Sequence, residues 1–585
     1  MMLKDQFSNE ELARLFRGMA AAHEVRGENA FTIKAYQNAA DSVEKATSLV
    51  KDLWEEGRLK EVAGIGKNLN SYLDEYFKTG KVKHFEATKK GLPGGMFEIL
   101  GLPHVGSKTA YKLAKHFGLK EGSTVARLKE LCQQGRIRTL EGFGEKSEKE
   151  ILEGILRRSR QNATSRLSLP LAYRVSQNVL DYLKSNSSFQ KADVLGSLRR
   201  FTATVGDVDI AVASDKKDAI IKHFLAYPQV KKVLWFGKSK ATVLLKNGIQ
   251  VDLMVEKTES YGSLPQHFTG SKSHNIQLRE LALKKGLSLS EHGIKVLGKP
   301  KSLKFASEKG FYKFLGLPIV PPEIREGNEE IEAALKGNLP SLVEVSDIKG
   351  DLQVHSNWSL DGVNSIEEIV SYSQKKGYRY VGITDHQLSF EALDSDMTEA
   401  GIRRRKEVID KIDYSNSNLR VLNGIGLLIK SNGHLSYPDY LLKLFDYVLV
   451  SIHSGFTQNR EQNTKRIIQA LKNNFVTALA HPTTRLINKR EEIEAGWEEI
   501  FRFCAIENKL MEIDGAPERM DLPDILVRQA KSLGVKFLVD TDAHRIEQLD
   551  NMVFGVSVAR RGWLTKKEVI NTYPFDKLKE VLRMK

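Results

Sequence analysis

Cysteine is almost missing from this chain. Two occur in 585 residues, Cys132 and Cys504, which rules out a disulfide framework and fits a reducing compartment. Long apolar runs are missing too. None approaches the ~18 residues of a membrane helix, so no membrane span is expected. Residues 1–16 lack the apolar core of a signal peptide. Acidic charge is short in one part only. Residues 1–340 carry 55 Lys+Arg against 39 Asp+Glu, a net +16, whereas residues 341–585 carry a net −1. The whole basic excess therefore lies in the first part, which points to a polyanionic partner, nucleic acid first. The switch near residue 340 divides the chain into two functional modules. Otherwise the composition is ordinary, 41% hydrophobic and 28% charged, and the length suits roughly three to five domains.

Apolar spacing predicts helices over residues 10–22 and 31–50. Glycine-containing breaks then recur between helical stretches: Gly64-Ile65-Gly66, the segment Gly101-Leu102-Pro103-His104-Val105-Gly106, and Gly142-Phe143-Gly144. Helices are expected after the second and third, at 107–116 and 145–158. The spacing is too irregular for a solenoid. Short apolar strands are expected at 194–195, 208–212, 233–236, 241–245 and 249–255, then a helix at 278–285. A Pro-rich stretch at 317–322 and an acidic, polar stretch at 327–340 mark a linker. Beyond residue 349, strands at 380–383, 447–452, 476–479, 510–513 and 535–539 alternate with helical stretches, the pattern of an α/β barrel or a related layered fold.

Three features carry chemistry. Glycine turns followed by a helix can present backbone amides to a phosphate, and three in a basic region suit DNA-backbone binding without sequence reading. In Gly206-Asp207-Val208-Asp209-Ile210, carboxylates two apart on a strand share one face and can share metal ions. The preceding Gly196-Ser197-Leu198-Arg199-Arg200 can hold a triphosphate on loop amides and a hydroxyl. Asp252, on a later strand with Ile249, Val251 and Leu253 facing the other way, supplies a third carboxylate. Three converging carboxylates can bind two divalent cations, the requirement for moving a nucleotidyl group. The third feature is a set of histidines, His355, His386, His453, His481 and His544. Most directly follow a predicted strand, where barrel sites form. Imidazole with carboxylate suits Zn or Mn rather than Ca.

Residues 1–320 resemble a family X DNA polymerase, the DNA polymerase beta group. The resemblance rests on the hairpin turns, Gly196-Ser197-x-Arg199-Arg200, Gly206-Asp207-x-Asp209, Asp252, and His267-Phe268-Thr269-Gly270-Ser271 with Asn275 and Arg279, all in order. It implies Asp207, Asp209 and Asp252 as catalytic metal ligands for Mg2+, with Mn2+ as the other ion. It implies Gly196, Ser197, Arg200 and Gly206 at the triphosphate, and Phe268 and Gly270 under the sugar. Asn275 and Arg279 would meet the minor groove of the nascent pair or template. Gly64, Gly66, Gly101, Gly106, Gly142 and Gly144 would contact DNA. His267 stands where a Tyr is common. Tyr72 stands where lyase-active members carry a Schiff-base Lys, so no deoxyribose-phosphate lyase is predicted, with Lys67 the only nearby amine considered.

The C-terminal segments resemble the polymerase and histidinol phosphatase (PHP) domain, a distorted α/β barrel with a three-metal phosphoesterase site that can act as a 3′–5′ exonuclease. The resemblance implies His355, Asp361, His386, His453, His481, Asp542 and His544 as ligands for Mn2+ or Zn2+. Gln353 stands at a usual His position, and Gly426 where a metal-bridging Glu is expected. Two alternatives stay open: a working exonuclease, or a degenerate structural module.

The expected fold is multidomain α/β: helical helix-hairpin-helix domains, a nucleotidyltransferase palm with a mixed sheet, a thumb, and a TIM-like PHP barrel. The expected domains are 1–90 (helix-hairpin-helix), 91–165 (fingers with helix-hairpin-helix), 166–260 (palm), 261–325 (thumb), 326–345 (linker) and 346–585 (PHP). The expected function is gap-filling, DNA-directed DNA synthesis in base excision repair. The expected protein is a cytoplasmic, nucleoid-associated monomer working on gapped or primer-template DNA and deoxynucleoside triphosphates. The alternatives are a non-templated nucleotidyltransferase or a DNA-binding scaffold with a vestigial PHP domain.

Overall fold

The computed structural model describes residues 9–44, 50–55, 64–100, 105–120, 124–152, 166–185, 190–299, 301–386, 395–415 and 419–584, with the single positions 59, 62, 102, 122 and 155. The chain forms two compact units, Met1–Ser165 and Arg166–Lys585.

The first unit is helical in its described residues. Helices Asn9–Val25 and Ala30–Glu44 pair with Lys67–Thr79 and Lys83–Lys89 around a core of Leu12, Phe16, Tyr36, Leu73 and Phe85. A second core gathers Met96, Ile99, Leu113, Leu128 and Ile151 around helices Ser107–Phe117 and Thr124–Gln133. The first predicted helix runs slightly longer than expected. The second is helical to Glu44 and again from Val50 to Glu55.

The second unit opens with a five-stranded mixed sheet. Its spatial order is Lys191–Val194, Val208–Ala213, Gln250–Glu256, Lys240–Leu245, Val230–Phe236. Only Val208–Ala213 and Gln250–Glu256 run parallel, in a register that sets Asp209 beside Asp252. Alternation decides what each face carries. Val208, Ile210 and Val212, with Val251, Leu253 and Val255, enter the large core, each worth ~1.5–3 kcal/mol of burial. Ala211, Ala213 and Met254 occupy the other face, covered by Tyr261 and Leu264. Asp209 and Asp252 stand at the end of that second face.

Helices Ser263–Thr269 and Lys272–Lys284 and the hairpin Leu287–Ser290/Gly293–Val296 follow. Helix Glu330–Leu335, within the polar stretch, buries Ile331 and Ala334 against the same cluster as Leu278, Phe311 and Tyr312.

Seven parallel strands then follow in sequence order: Gly350–Val354, Tyr380–Ile383, Arg420–Leu428, Tyr447–Ser451, Val476–Leu479, Leu510–Asp514 and Phe537–Asp540. A bridge from Val354 to Ala543 joins last to first, nearly closing a barrel. Two of these strands, Gly350–Val354 and Arg420–Leu428, escaped the sequence reading. Both carry glycines and polar residues that dilute the apolar run. The reason lies inside the barrel. The Tyr447 hydroxyl crosses it to donate to Leu352 O at 2.6 Å; a Cβ at Gly424 would collide with that ring, and one at Gly350 with Tyr380.

Candidate active sites

The three glycine turns of the first unit share one backbone pattern. An amide donates back three residues in each: Ile65 N to Val62 O (3.2 Å), Val105 N to Leu102 O (3.0 Å) and Phe143 N to Leu140 O (2.9 Å). One residue later a glycine opens a helix: Gly66 at φ −76°, ψ 177°, and Gly106 at φ −80°, ψ 176°. Gly144 O likewise accepts the first helical bond of its segment. A Cβ on Gly66, Gly106 or Gly144 would meet nothing within 4 Å, so neither φ nor internal packing demands glycine there. Open space before a helix N-terminus is what a phosphate needs to reach amides. Gly64 and Gly142 adopt φ +79° and +83°, the left-handed turn conformation glycine favours. Gly101 lies outside the described residues. Tyr72 stacks on His84 at 4.8 Å between ring centroids and offers no amine.

In the palm, the carboxylate oxygens of Asp207, Asp209 and Asp252 lie within 4.8 Å of one another. Asp207 sits just before its strand and is exposed. Asp209 is half-buried and Asp252 buried. Burial, then the like charges of Asp207 and Asp252, push Asp209 well above the usual carboxylate range; burial and Asp252 also raise Asp207. Compensation is thin. Lys240 Nζ is 3.8 Å from Asp252, Gln250 Nε2 donates to it at 3.0 Å, and the Thr242 hydroxyl donates as well. A concentrated, under-neutralised oxygen site fits divalent cations. Lys240 and Thr242 were missed in sequence, because only the cross-strand register brings them to Asp252; Gln250 reaches it along its own strand.

Gly196 touches this cluster. It adopts φ +61°, and an added Cβ would lie 3.1 Å from Asp209 Oδ2, so close approach and conformation both require glycine. Arg200 donates from Nη1 to Thr269 O (2.7 Å) and from Nε to Glu326 (3.1 Å). Its neighbour Arg199 binds Thr269 Oγ1 and Glu308, each at 2.8 Å. A Cβ on Gly270 would come 2.7 Å from Asn275 Oδ1, and Asn275 Nδ2 donates to His267 O at 2.7 Å. Phe268 sits edge-on to His267 and packs against the Tyr261 cluster. Gly206 stands at the mouth, 3.9 Å in Cβ terms from Arg166. Arg279 is half-buried; desolvation lowers its pKa against the opposing pull of Glu291.

The barrel histidines converge at the C-terminal strand ends. His386 Nε2 and His544 Nε2 lie 3.4 Å and 3.3 Å from Asp361 Oδ2, and His355, His386 and His544 share one possible cation position. His355 Nε2 lies 3.0 Å from Asp542 Oδ1, to which Gln353 Nε2 donates at 2.9 Å. His453 and His481 rings stand 5.1 Å apart; His453 Nε2 is 2.8 Å from Ser451 Oγ. His481 and Asp542 hold positive φ, +28° and +50°, local strain of the kind found at functional sites. Burial lowers His386 to about 4, with His355 adding to the effect.

His355, His386 and His544, with Asp361 beside the last two, are a donor set that fits a cation. The remainder fits less well. Gly426 faces the mouth, where a Cβ would lie 3.6 Å from His386 Nδ1, yet it brings no carboxylate. Asp542 is already met by Gln353, His355 and, at 3.9 Å, Arg519. Supporting groups were not legible in sequence. Asp385 accepts from Ser356 N (2.6 Å), Ser359 Oγ (3.0 Å) and Arg405 Nε (2.7 Å), and Ser359 Oγ accepts from His386 N at 3.1 Å.

Comparison with known proteins matches three parts of the chain. The family model described as DNA polymerase beta thumb matches residues 265–326, that of the helix-hairpin-helix domain residues 7–82, and that of the PHP domain residues 351–516. The DNA polymerase/3′-5′ exonuclease PolX of Bacillus subtilis (strain 168) is 35% identical over 564 residues, 96% of this chain and 97% of its own length. A probable phosphatase of Thermoanaerobacter sp. (strain X514) is 26% identical over 242 residues, 40% of this chain and 94% of its own. DNA polymerase lambda of Rattus norvegicus is 29% identical over 160 residues, 22% of this chain and 28% of its own. No helix among the described residues is long and apolar enough to cross a membrane.

Proposed function

The chain belongs to the family X DNA polymerases that carry a PHP domain, and from that membership we propose that it fills short gaps in DNA during repair, as a monomer in the cytoplasm at the nucleoid. The observation that carries the polymerase reading is the parallel register that sets Asp209 beside Asp252, with Asp207 at the strand entrance.

Divalent cations, Mg2+ or Mn2+, bound by these carboxylates would activate the primer 3′-hydroxyl and stabilise the leaving pyrophosphate. The chain's own residues do the rest. Gly196 and Ser197 open a short helix, Gly196–Arg199, rather than the expected loop; Gly196 lets this turn lie against Asp209, bringing its amides to the triphosphate. Arg200 meets the triphosphate charge. Gly270 and Phe268 form the floor under the sugar, and Asn275 fixes that floor by holding His267 O. Arg279 reads the minor groove after leaving Glu291. The glycine turns hold the DNA backbone on both sides of the gap. No lyase step is proposed, because Tyr72 cannot form a Schiff base. Asp209→Ala in the full chain should abolish primer extension while leaving gapped-DNA affinity within about threefold. Undiminished extension would refute the assignment, and incorporation indifferent to the template base would favour a non-templated transferase.

For the barrel, the PolX name carries a 3′-5′ exonuclease, and the same activity is proposed here at reduced strength. His355, His386 and His544, with Asp361, would keep one Mn2+ or Zn2+, while Gly426 and Gln353 weaken the positions beyond it. Mn2+-dependent digestion of single-stranded DNA by the full chain, compared with His386→Ala, tests this. Equal rates in both would leave the barrel a structural module.

A further inference from the structure

Arg561 is the last residue of the barrel helix Met552–Arg561, yet its guanidinium works on the polymerase side. Nη1 donates to the Arg200 backbone carbonyl at 2.9 Å and to Glu326 Oε1 at 2.8 Å. Nη2 is held by Asp524 Oδ2 at 2.7 Å. Arg200 Nε donates to the same Glu326 Oε1, at 3.1 Å. One carboxylate oxygen thus serves two guanidinium groups, one from each half. The side chains are 10%, 13% and 28% exposed for Arg561, Arg200 and Glu326, so solvent screens the triad weakly.

The surroundings make this a rigid joint. Arg560 Nε binds Glu323 Oε1 at 2.7 Å, and its Nη1 donates to Val343 O at 2.9 Å. Phe554 of the same helix meets Tyr173 edge-on, with centroids 5.8 Å apart. Arg200 is held at its carbonyl, at Nε and, through Thr269 O, at Nη1. Its Nη2 has no hydrogen-bond partner among the described residues and remains for a further acceptor.

We propose that Arg561 is a positioning residue for nucleotide binding: by sharing Glu326 and holding the Arg200 carbonyl, the PHP barrel sets Arg200 for the incoming triphosphate. The proposal rests on the reading of Arg200 as a triphosphate contact. Two cations compete for one carboxylate. With Arg561 present, Glu326 divides its attraction between two cations. Without it, Glu326 and Arg200 become an exclusive pair, free to close into a bidentate geometry. The triphosphate must then break that pair to recruit Arg200. The barrel would therefore support synthesis whether or not it cuts DNA.

The test is single-nucleotide gap filling by the full chain, with KM for the deoxynucleotide and kcat measured separately. Arg561→Ala should raise KM about 5-fold or more, with kcat at saturating nucleotide within about 2-fold. Adding Glu326→Gln to that variant should return KM toward the parent value, because the competing charge is gone. A merely structural role for Arg561 would not be rescued by a second substitution. Melting temperature and gapped-DNA affinity report folding. If Arg561→Ala does not fold, Arg561→Lys, which keeps charge but cannot make all three contacts, carries the same expectation and the same rescue. An unchanged KM in the folded variant, or a raised KM that Glu326→Gln leaves raised, overturns the proposal. Arg200→Ala separates the two readings. An unchanged KM there refutes the triphosphate contact and the proposal with it. A raised KM there beside unaffected Arg561 variants overturns the positioning role alone.

Discussion

Gly426→Glu should convert the barrel from a weak cation site into a stronger one, and the structure allows the change to be sized. Residues 422, 424 and 426 alternate onto the inward face of strand Arg420–Leu428, and Gly426 forms a parallel bridge with His386 beyond the end of the neighbouring strand. The new Cβ would start 3.3 Å from Thr384 O and 3.6 Å from His386 Nδ1. The first contact is tight enough to force a small backbone shift, an overpacking cost of about 1–2 kcal/mol. Against this stands a new carboxylate among histidines. Loss of a mere outer-shell partner typically costs 10–100-fold in metal affinity, or about 1.4–2.8 kcal/mol, so a direct ligand should return at least that. At metal concentrations near 100 times Kd, the bound form gains about 2.7 kcal/mol of stability. The signs therefore cross: the variant should melt below the parent when stripped of metal and above it in Mn2+. Metal counting by plasma mass spectrometry after gel filtration should show more ions per chain than in the parent. A folded variant with the parent's metal count and the parent's Mn2+-dependent shift would refute the idea that Gly426 limits this site.

Other predictions concern the rest of the molecule. Glu308 is shared by Arg199 at 2.8 Å and the fully buried Arg325 at 2.6 Å. Burial alone would raise its pKa, but the two guanidiniums hold it at about 2. Glu308→Ala strands Arg325 without its counter-ion and should cost about 3–5 kcal/mol in urea unfolding of the full chain; a loss below about 1 kcal/mol would contradict the buried pairing. Gly66→Ala and Gly106→Ala should leave the melting temperature almost unchanged, since their Cβ positions are open. Affinity for gapped DNA should nonetheless fall several-fold if phosphates approach those amides, and unchanged binding would remove the turns from the DNA path. Asp521 is buried and raised to about 6, against an unfolded value near 3.9. Its stabilising contribution is therefore complete below about pH 4 and lost as pH rises through 6, a change of roughly 3 kcal/mol. Asp521→Asn should flatten that slope in denaturant titrations from pH 4 to 7; an equal slope in both proteins would assign it to other groups.

Much of the site chemistry was written into short segments. Asp207 and Asp209 share a tetrapeptide, and the period of a strand alone predicts their common face. The barrel histidines announce themselves by following apolar strands. The repeated glycine turns, with two glycines in each of the 64–66 and 142–144 breaks, needed only local conformation to be recognised. These features depend on separations of a few residues, which a chain encodes directly.

Strands Gly350–Val354 and Arg420–Leu428 were not legible, because Gly350 makes room for Tyr380 and Gly424 for Tyr447, residues 30 and 23 positions along the chain. Nor were Lys240 and Thr242 beside Asp252, which only the register between strands brings together. Glu326 between Arg200 and Arg561 joins residues 361 positions apart. The identity of the chemistry was thus determined by sequence, since it resides in side-chain types at fixed local spacing. What neutralises each charge, and which half of the molecule holds Arg200 in place, was decided only by tertiary structure, because burial and long-range pairing exist only once the chain has folded back on itself.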